Sequence, residues 1–370
     1  MARIVHLSTV HRTRDNRIYN KECKALLAAG HELTLVVRAE RDEASPVPLV
    51  ALPTPAGRIQ RILSTQRRAW RAVSALNPHI LHIHDPELIP FAIAYRALHR
   101  DTRIVYDAHE DLVGQIATKP YLSSWQRPIA RTAAALLVGA ADRSFDAVVA
   151  ATEPVLAGFP HARRSTVVRN YPWLSDYAAK PQPAPGRAVY VGDLTEERKL
   201  TFMLDVIDRV RATVPHAHLV LAGRPDKQGE VVLNKRADGD AVTYLGLLDP
   251  ADVPSVVATG QVGLVFLKPL PNYLNSLPTK LFEYMASGIA YLASDFPFWR
   301  QSFEPHHAGH FTDTEDVGTA ATALAALLTN PQLCSELGAQ GRAVIEAELN
   351  FEREADALTR LVRILAPAAG

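Results

Sequence analysis

The stretch from Asn275 to Gly288, Asn-Ser-Leu-Pro-Thr-Lys-Leu-Phe-Glu-Tyr-Met-Ala-Ser-Gly, concentrates groups that could bind an anion and a diol. It follows an apolar run and loop at Val262–Pro271 and takes up a helical pattern over Lys280–Ser287. Backbone N–H groups near Ser276, Leu277 and Thr279 would stand unpaired at the helix start, backed by the positive end of its dipole. That is an anion site. Pro278 suits the first helical turn, where a missing N–H does no harm. Lys280 adds a cation to the same segment. Glu283 lies one turn inside, where its carboxylate can accept two ribose hydroxyls, and Gly288 would end the helix. The competing reading is a capped surface helix with an ordinary glutamate, but packing does not account for this run of polar and small residues.

Other candidates end strands. Ile83-His84-Asp85-Pro86-Glu87 and Val105-Tyr106-Asp107-Ala108-His109-Glu110 would both lie on the ligand-binding edge of a parallel sheet. An imidazole there can bond a hydroxyl or position reacting groups, or serve as a structural strand-end histidine. Tyr190–Lys199 ends a later strand and supplies Arg198, with Lys199 beside it, as a phosphate partner. Gly223 and Gly246 each follow a strand, as turn glycines do. Two patterns carry less. Asp238-Gly239-Asp240 reads as a turn, and His306, His307 and His310 lack an obvious acidic partner for a metal.

These residues need a scaffold of alternating elements. Strands are expected at Arg3–Leu7, Glu32–Val37, Ile80–Ile83, Thr102–Tyr106, Ala147–Ala150 and Ser165–Val168, with helical stretches at Tyr19–Ala29 and Pro86–Leu98. Short apolar strands separated by helices mean a parallel α/β sheet. Tyr171–Gly186 carries four prolines and reads as a linker. The pattern then restarts with strands at Ala188–Val191, His218–Ala222, Val242–Leu245, Val262–Phe266 and Ala290–Ala293. Helices are expected at Leu200–Val214, Pro250–Ala258, Lys280–Ser287 and Asp316–Leu328. The expected organisation is an N-terminal Rossmann-like domain over 1–172, a second over 173–350, and an amphipathic C-terminal helix in 351–370 that packs back toward the first. Two such α/β units facing each other would make a cleft.

Leu-Pro-x-Lys-Leu-x-Glu-Tyr-Met-Ala-x-Gly resembles the donor-binding segment of glycosyltransferase family 4, retaining enzymes of the GT-B fold. The family's second glutamate corresponds to Glu283, which implies a ribose contact. Its first corresponds to Asn275, a departure at the position that contacts the transferred sugar. The resemblance extends through His6–His11, with His11 on the acceptor side, and through Asp15–Ile18. The usual glycine pair after the first strand is absent, so Arg17 is either a substitute phosphate contact or a surface salt bridge. The family histidine that faces the transferred sugar corresponds to His109, and His84, Asp85 and Glu110 fall on the acceptor side. Asp193 replaces the family's phosphate-binding arginine, and Arg198 takes the place of its lysine. The loops at Gly223 and Gly246 would give backbone contacts to the base. The implied reaction is retaining transfer from an NDP-sugar, a UDP-sugar before a GDP-sugar, to an acceptor hydroxyl, with no obligatory metal or cofactor. A sugar-nucleotide 2-epimerase and a non-catalytic scaffold of the same fold stay open.

Bulk properties bound this reading. The chain has 370 residues, 48% hydrophobic and 21% charged, enough for two ordinary globular cores. Cys23 and Cys334 form no metal or redox spacing, so a reducing compartment is expected. The apolar run at Thr132–Ala141 is too short to span a bilayer, and the N-terminus starts directly as a strand, which implies a cytoplasmic protein. Net charge is +1, yet residues 1–170 hold 23 Lys+Arg against 15 Asp+Glu (+8), and residues 171–370 hold 17 against 24 (−7). Much of the excess lies in Arg58, Arg61, Arg67, Arg68 and Arg71. That stretch is either a solvated helix face or a surface for anionic lipid or a phosphate-bearing substrate. A lipid-linked or cell-surface glycan precursor is the favoured acceptor, reached peripherally at the inner membrane face. A soluble natural product is the alternative, and no motif points to nucleic acid.

Overall fold

The structure is a computed structural model that describes residues 1–44, 46–54, 57, 64–116, 123–177, 182–236 and 239–366. Arg58, Arg61 and Asp238 lie outside them. The chain divides into two compact units. One comprises Met1–Asn170 with the helix Phe351–Leu365, the other Tyr171–Asn350.

The first unit carries an eight-stranded sheet, in the order β3-β4-β2-β1-β5-β6-β7-β8 among the described residues. Its strands are β1 (Arg3–Arg12), β2 (Glu32–Arg38), β3 (Glu43–Ala44), β4 (Pro48–Leu52), β5 (Ile80–Ile83), β6 (Arg103–Ala108), β7 (Ala147–Ala150) and β8 (Ser165–Val167). All pairings are parallel except β3 with β4. Ile80–Ile83 and Ala147–Ala150 are buried throughout, as strands covered on both faces must be. The order reverses between β1 and β5, so their carboxyl ends flank a crevice.

The second unit repeats this plan with six parallel strands, β11-β10-β9-β12-β13-β14. These are β9 (Arg187–Val191), β10 (His218–Ala222), β11 (Val242–Tyr244), β12 (Val262–Val265), β13 (Ala290–Ser294) and β14 (Gly309–Thr312). The reversal falls between β9 and β12. The helix Thr279–Ser287 lies against β12, because a Cβ on Gly263 would stand 2.4 Å from the Tyr284 ring. The Tyr284 hydroxyl donates to Leu264 O at 3.1 Å and fixes the helix on the strand.

Several expectations are corrected. Tyr19–Ala29 is not one helix. A wide π-helical turn over Ile18–Cys23 precedes a short α-helix at Lys24–Ala28. The described part of the expected linker packs on the second unit. Tyr171 and Tyr177 are buried, Tyr171 against Phe282 at 4.9 Å, and Gln182 N–H donates to Ala258 O. Pro278 is the residue before the helix, with ψ 120°, and Thr279 is its first helical residue. The helices Gln126–Ser144 and Pro331–Ala347 and strands β4 and β14 were not anticipated, whereas Gln66–Leu76 is the helix face expected around Arg67, Arg68 and Arg71.

Candidate functional sites in each unit

In the second unit the chemistry gathers where the sheet order reverses. The N–H groups of Leu277, Thr279 and Lys280 have no backbone partner among the described residues, and they open a nine-residue helix. The buried Trp299 indole holds the preceding loop by donating to Ser276 O at 2.7 Å and Tyr273 O at 3.1 Å. Gly192 follows β9, and a Cβ there would lie 2.7 Å from Lys280 Nζ, so the ammonium rests directly over that glycine. Lys280 also stands 5.5 Å from the Tyr190 ring centroid. Arg198 lies beside the Tyr190 hydroxyl and 5.9 Å from the Tyr273 ring centroid. Neither cation has an ion pair among the described residues. Burial lowers the Lys280 pKa, opposed by Glu283 and reinforced by Arg198. An ammonium depressed by burial and by a neighbouring guanidinium, beside unpaired amides, is what an anion would relieve.

Glu283 is half-buried, on the same helix one turn from Lys280. Asn275 is exposed at the preceding loop. Three strand-end glycines form a chain of contacts: Gly192 N–H donates to Ala222 O and Gly223 N–H to Gly246 O, both at 2.8 Å. At Gly223, with φ +134°, a Cβ would stand 1.9 Å from Gly192 O. Only glycine fits there. Lys199 is not brought into this group. It is buried, and its ammonium bonds Thr314 O and the Glu315 carboxylate at 2.7 Å. Its neighbour Arg198 is the one left available.

The first unit places a buried polar network beside the ends of β1, β5 and β6. Asp107 takes a two-pronged ion pair from Arg17, with Nε at 3.0 Å and a terminal nitrogen at 2.6 Å. His84 Nδ1 meets the same carboxylate at 3.0 Å and His109 Nε2 at 2.8 Å. His84 Nε2 meets His6 Nδ1 at 2.9 Å, and the His82 ring stacks on His84. Burial, partly offset by Asp107, lowers the His84 pKa to about 3, and burial likewise lowers His6 and His82. Burial alone would raise Asp107, but Arg17 and then His109 hold it well below the usual carboxylate range.

This geometry corrects the expectation for Arg17. Its guanidinium is buried, bonded to Asp107 and Val168 O and 3.1 Å from Glu22, so it is neither a surface salt bridge nor free to bind phosphate. The π-helical turn explains the placement, since a five-residue repeat brings Arg17 and Glu22 to one side. His84 and Asp85 are also inside the protein. Asp85 accepts from Thr9 N–H at 2.5 Å and Ser8 Oγ at 3.0 Å and pairs with His11 at 3.2 Å, so it fixes the irregular carboxyl end of β1. His109, Glu110 and His11 reach the surface. Glu22, His82, His84 and Asp107 bring potential metal-ligand atoms within 4.8 Å of one another. The Arg17 guanidinium already supplies the positive charge there, so the cluster suits an internal ion pair better than a dication. The network itself escaped the sequence reading. The alternation His82-x-His84, with His6 on the adjacent strand, was its only signal.

Comparison with known proteins decides the family. The model for Glycosyltransferase Family 4 matches residues 20–170, and that for Glycosyl transferases group 1 matches residues 185–330. This chain is a family 4 glycosyltransferase. The transferase is 24% identical to a phosphatidyl-myo-inositol mannosyltransferase of Mycolicibacterium smegmatis, over 84% of this chain and 80% of that protein. It is 23% identical to the Mycobacterium leprae protein of the same name, over 86% and 84%. Sucrose-phosphate synthase from Thermosynechococcus elongatus superposes with a TM-score of 0.70 at 18% identity, covering 99% of both chains. Anabaena HepE, solved in complex with UDP-glucose, gives 0.70 at 13% identity, covering 98% of this chain and 100% of that one. The fold is GT-B, and the enzyme is of the hexosyltransferase type, using a nucleotide sugar.

Proposed function

We propose that the transferase moves a sugar with retention of configuration from a UDP-sugar, before a GDP-sugar, to a hydroxyl of a lipid-linked or cell-surface glycan precursor. The observation that carries the donor side is the convergence of Arg198, Lys280 and the unpaired amides of Leu277, Thr279 and Lys280 at the reversal of the second sheet. These groups would neutralise the diphosphate as it leaves, with no proton needed from the protein. Glu283 would accept the ribose hydroxyls, Asn275 would lie at the transferred sugar, and the Gly223 and Gly246 loops would face the base. HepE, solved with UDP-glucose, supports a uridine donor.

The acceptor side would be the first unit, through His11 and Glu110, and His109 of that unit would meet the transferred sugar. His84 and Asp85 would support it from inside. The two mannosyltransferase relatives are named for a lipid acceptor, which favours a lipid-linked substrate here. One surface feature agrees. Trp125, just before the helix Gln126–Ser144, and Ile129 and Leu136 within it are exposed along one stripe, as on a helix resting on lipid. No described helix is long and apolar enough to cross a membrane.

The test is transfer from UDP-glucose, UDP-N-acetylglucosamine and GDP-mannose to a polyprenyl-diphosphate-linked glycan in anionic vesicles and to a water-soluble glycoside. The anomeric proton of the fresh product is read by NMR. Uridine-dependent transfer to the lipid-linked glycan with the donor's anomeric configuration is expected. Inverted product, or turnover with the soluble glycoside alone, would contradict the proposal.

A further inference from the structure

Resting on the reading that His109 meets the transferred sugar, we infer that Asp107 is a positioning residue. It holds His109 with the ring proton on Nε2 and so offers Nδ1 to a sugar hydroxyl as a hydrogen-bond acceptor. Asp107 Oδ2 lies within 3.0 Å of three nitrogens: Arg17 Nε, His84 Nδ1 and His109 Nε2. Arg17 is always a donor, and its second arm takes Asp107 Oδ1. A carboxylate so held has only lone pairs to give, so each histidine nitrogen facing it must carry the hydrogen.

The remaining protons follow from that one charge. With Nδ1 of His84 protonated, its Nε2 is an acceptor, and His6 Nδ1 donates to it at 2.9 Å. His84 Nδ1 and His109 Nε2 stand 3.3 Å apart as two donors converging on one oxygen. The His84 side chain is wholly inside the protein, whereas the His109 side chain is 20% exposed. His109 is therefore where this fixed network reaches an incoming molecule. An acceptor nitrogen there selects a hydroxyl and would repel a phosphate oxygen.

Ring-nitrogen NMR on the 15N-histidine-labelled full chain reads the tautomer directly, with His109→Asn supplying the assignment. In the neutral ring the expected result is hydrogen on Nε2 and a bare Nδ1. Hydrogen on Nδ1 of the neutral ring would overturn the inference and leave the donor site untouched. A second measurement does not depend on Asp107 variants folding. His109→Asn carries a polar atom to the place of Nδ1, and His109→Gln carries one to the place of Nε2. The asparagine variant should keep about tenfold more kcat than the glutamine variant, the worth of one hydrogen bond, with donor KM alike. Equal loss in both would overturn the Nδ1 role. Wild-type turnover in both, with the tautomer as expected, would overturn the placement of His109 at the sugar.

Discussion

At the scale of single residues, two neighbouring cations have opposite fates. Lys199 takes a left-handed backbone, φ 55°, and buries its ammonium against Thr314 O and Glu315. Arg198, one residue earlier, has no ion pair among the described residues and faces Tyr190 and Tyr273. Arg198→Ala should weaken nucleoside diphosphate binding by about 1.5–3 kcal/mol, the worth of a charged hydrogen bond, with an unchanged melting temperature. Lys199→Met should do the reverse. It should cost about 1–3 kcal/mol of stability for the buried oxygen left unpaired, with diphosphate affinity held within about twofold. Calorimetric titration and thermal melting of both variants check this, and loss of affinity in the Lys199 variant would contradict it. The sequence shows both charges but not which turns inward, because that depends on the Thr195-capped turn and on Thr314, more than a hundred positions away. Arg17 was misread for the same reason, since its partners Asp107 and Val168 are distant in the chain.

At the scale of elements, the segment leading into Thr279–Ser287 was legible because its signals are local: a proline before the helix, a helical pattern, and a glycine after it. Gly288 has φ 69° and closes the last turn, as expected. Strand β14 was missed because its residues are mostly part-exposed and show no apolar run. Strand β4 opens on Pro48, and prolines read as loop punctuation in a sequence. The helix Gln126–Ser144 leaves much of its apolar surface exposed, so no buried stripe marks it. The close approach of strand ends at Gly223 is tertiary and equally invisible. Gly223→Ala should cost at least about 2 kcal/mol through strain and contact with Gly192. Gly30→Ala is the control. It has positive φ but nothing within 4 Å of the added carbon and should cost about 1 kcal/mol. Urea midpoints of the two variants would show whether the contact or only the backbone angle matters.

At the scale of the molecule, two parallel α/β sheets were legible from alternating apolar runs. The buried histidines of the first unit were not, and they give it an acid dependence. His6, His82 and His84 have lowered pKa values, burial being the main cause. Above about pH 6.5 both folded and unfolded chains hold them neutral, and their contribution is complete. As pH falls, the unfolded chain gains protons that the folded one refuses, so stability is lost toward the folded values, about 3 for His84. Each contributes about 1.4 kcal/mol per pH unit in that window. Glu22, raised mainly by burial, runs the other way, and so does His11, whose pairing with Asp85 outweighs its own burial. A net slope of about 1.4 kcal/mol per pH unit or more survives. Denaturant midpoints should fall from pH 7 to pH 5, and His82→Phe should flatten the fall. An unchanged midpoint in the wild type would contradict the account.

The central claim is that the second unit binds a nucleoside diphosphate, and calorimetric titration tests it most directly. UDP, GDP, ADP and TDP are titrated into the wild type and into Glu283→Ala. Micromolar binding of UDP is expected, weakened in the variant by about 10- to 150-fold for one lost charged hydrogen bond. Absence of binding by every diphosphate, or equal affinity in Glu283→Ala, would contradict the donor site described here.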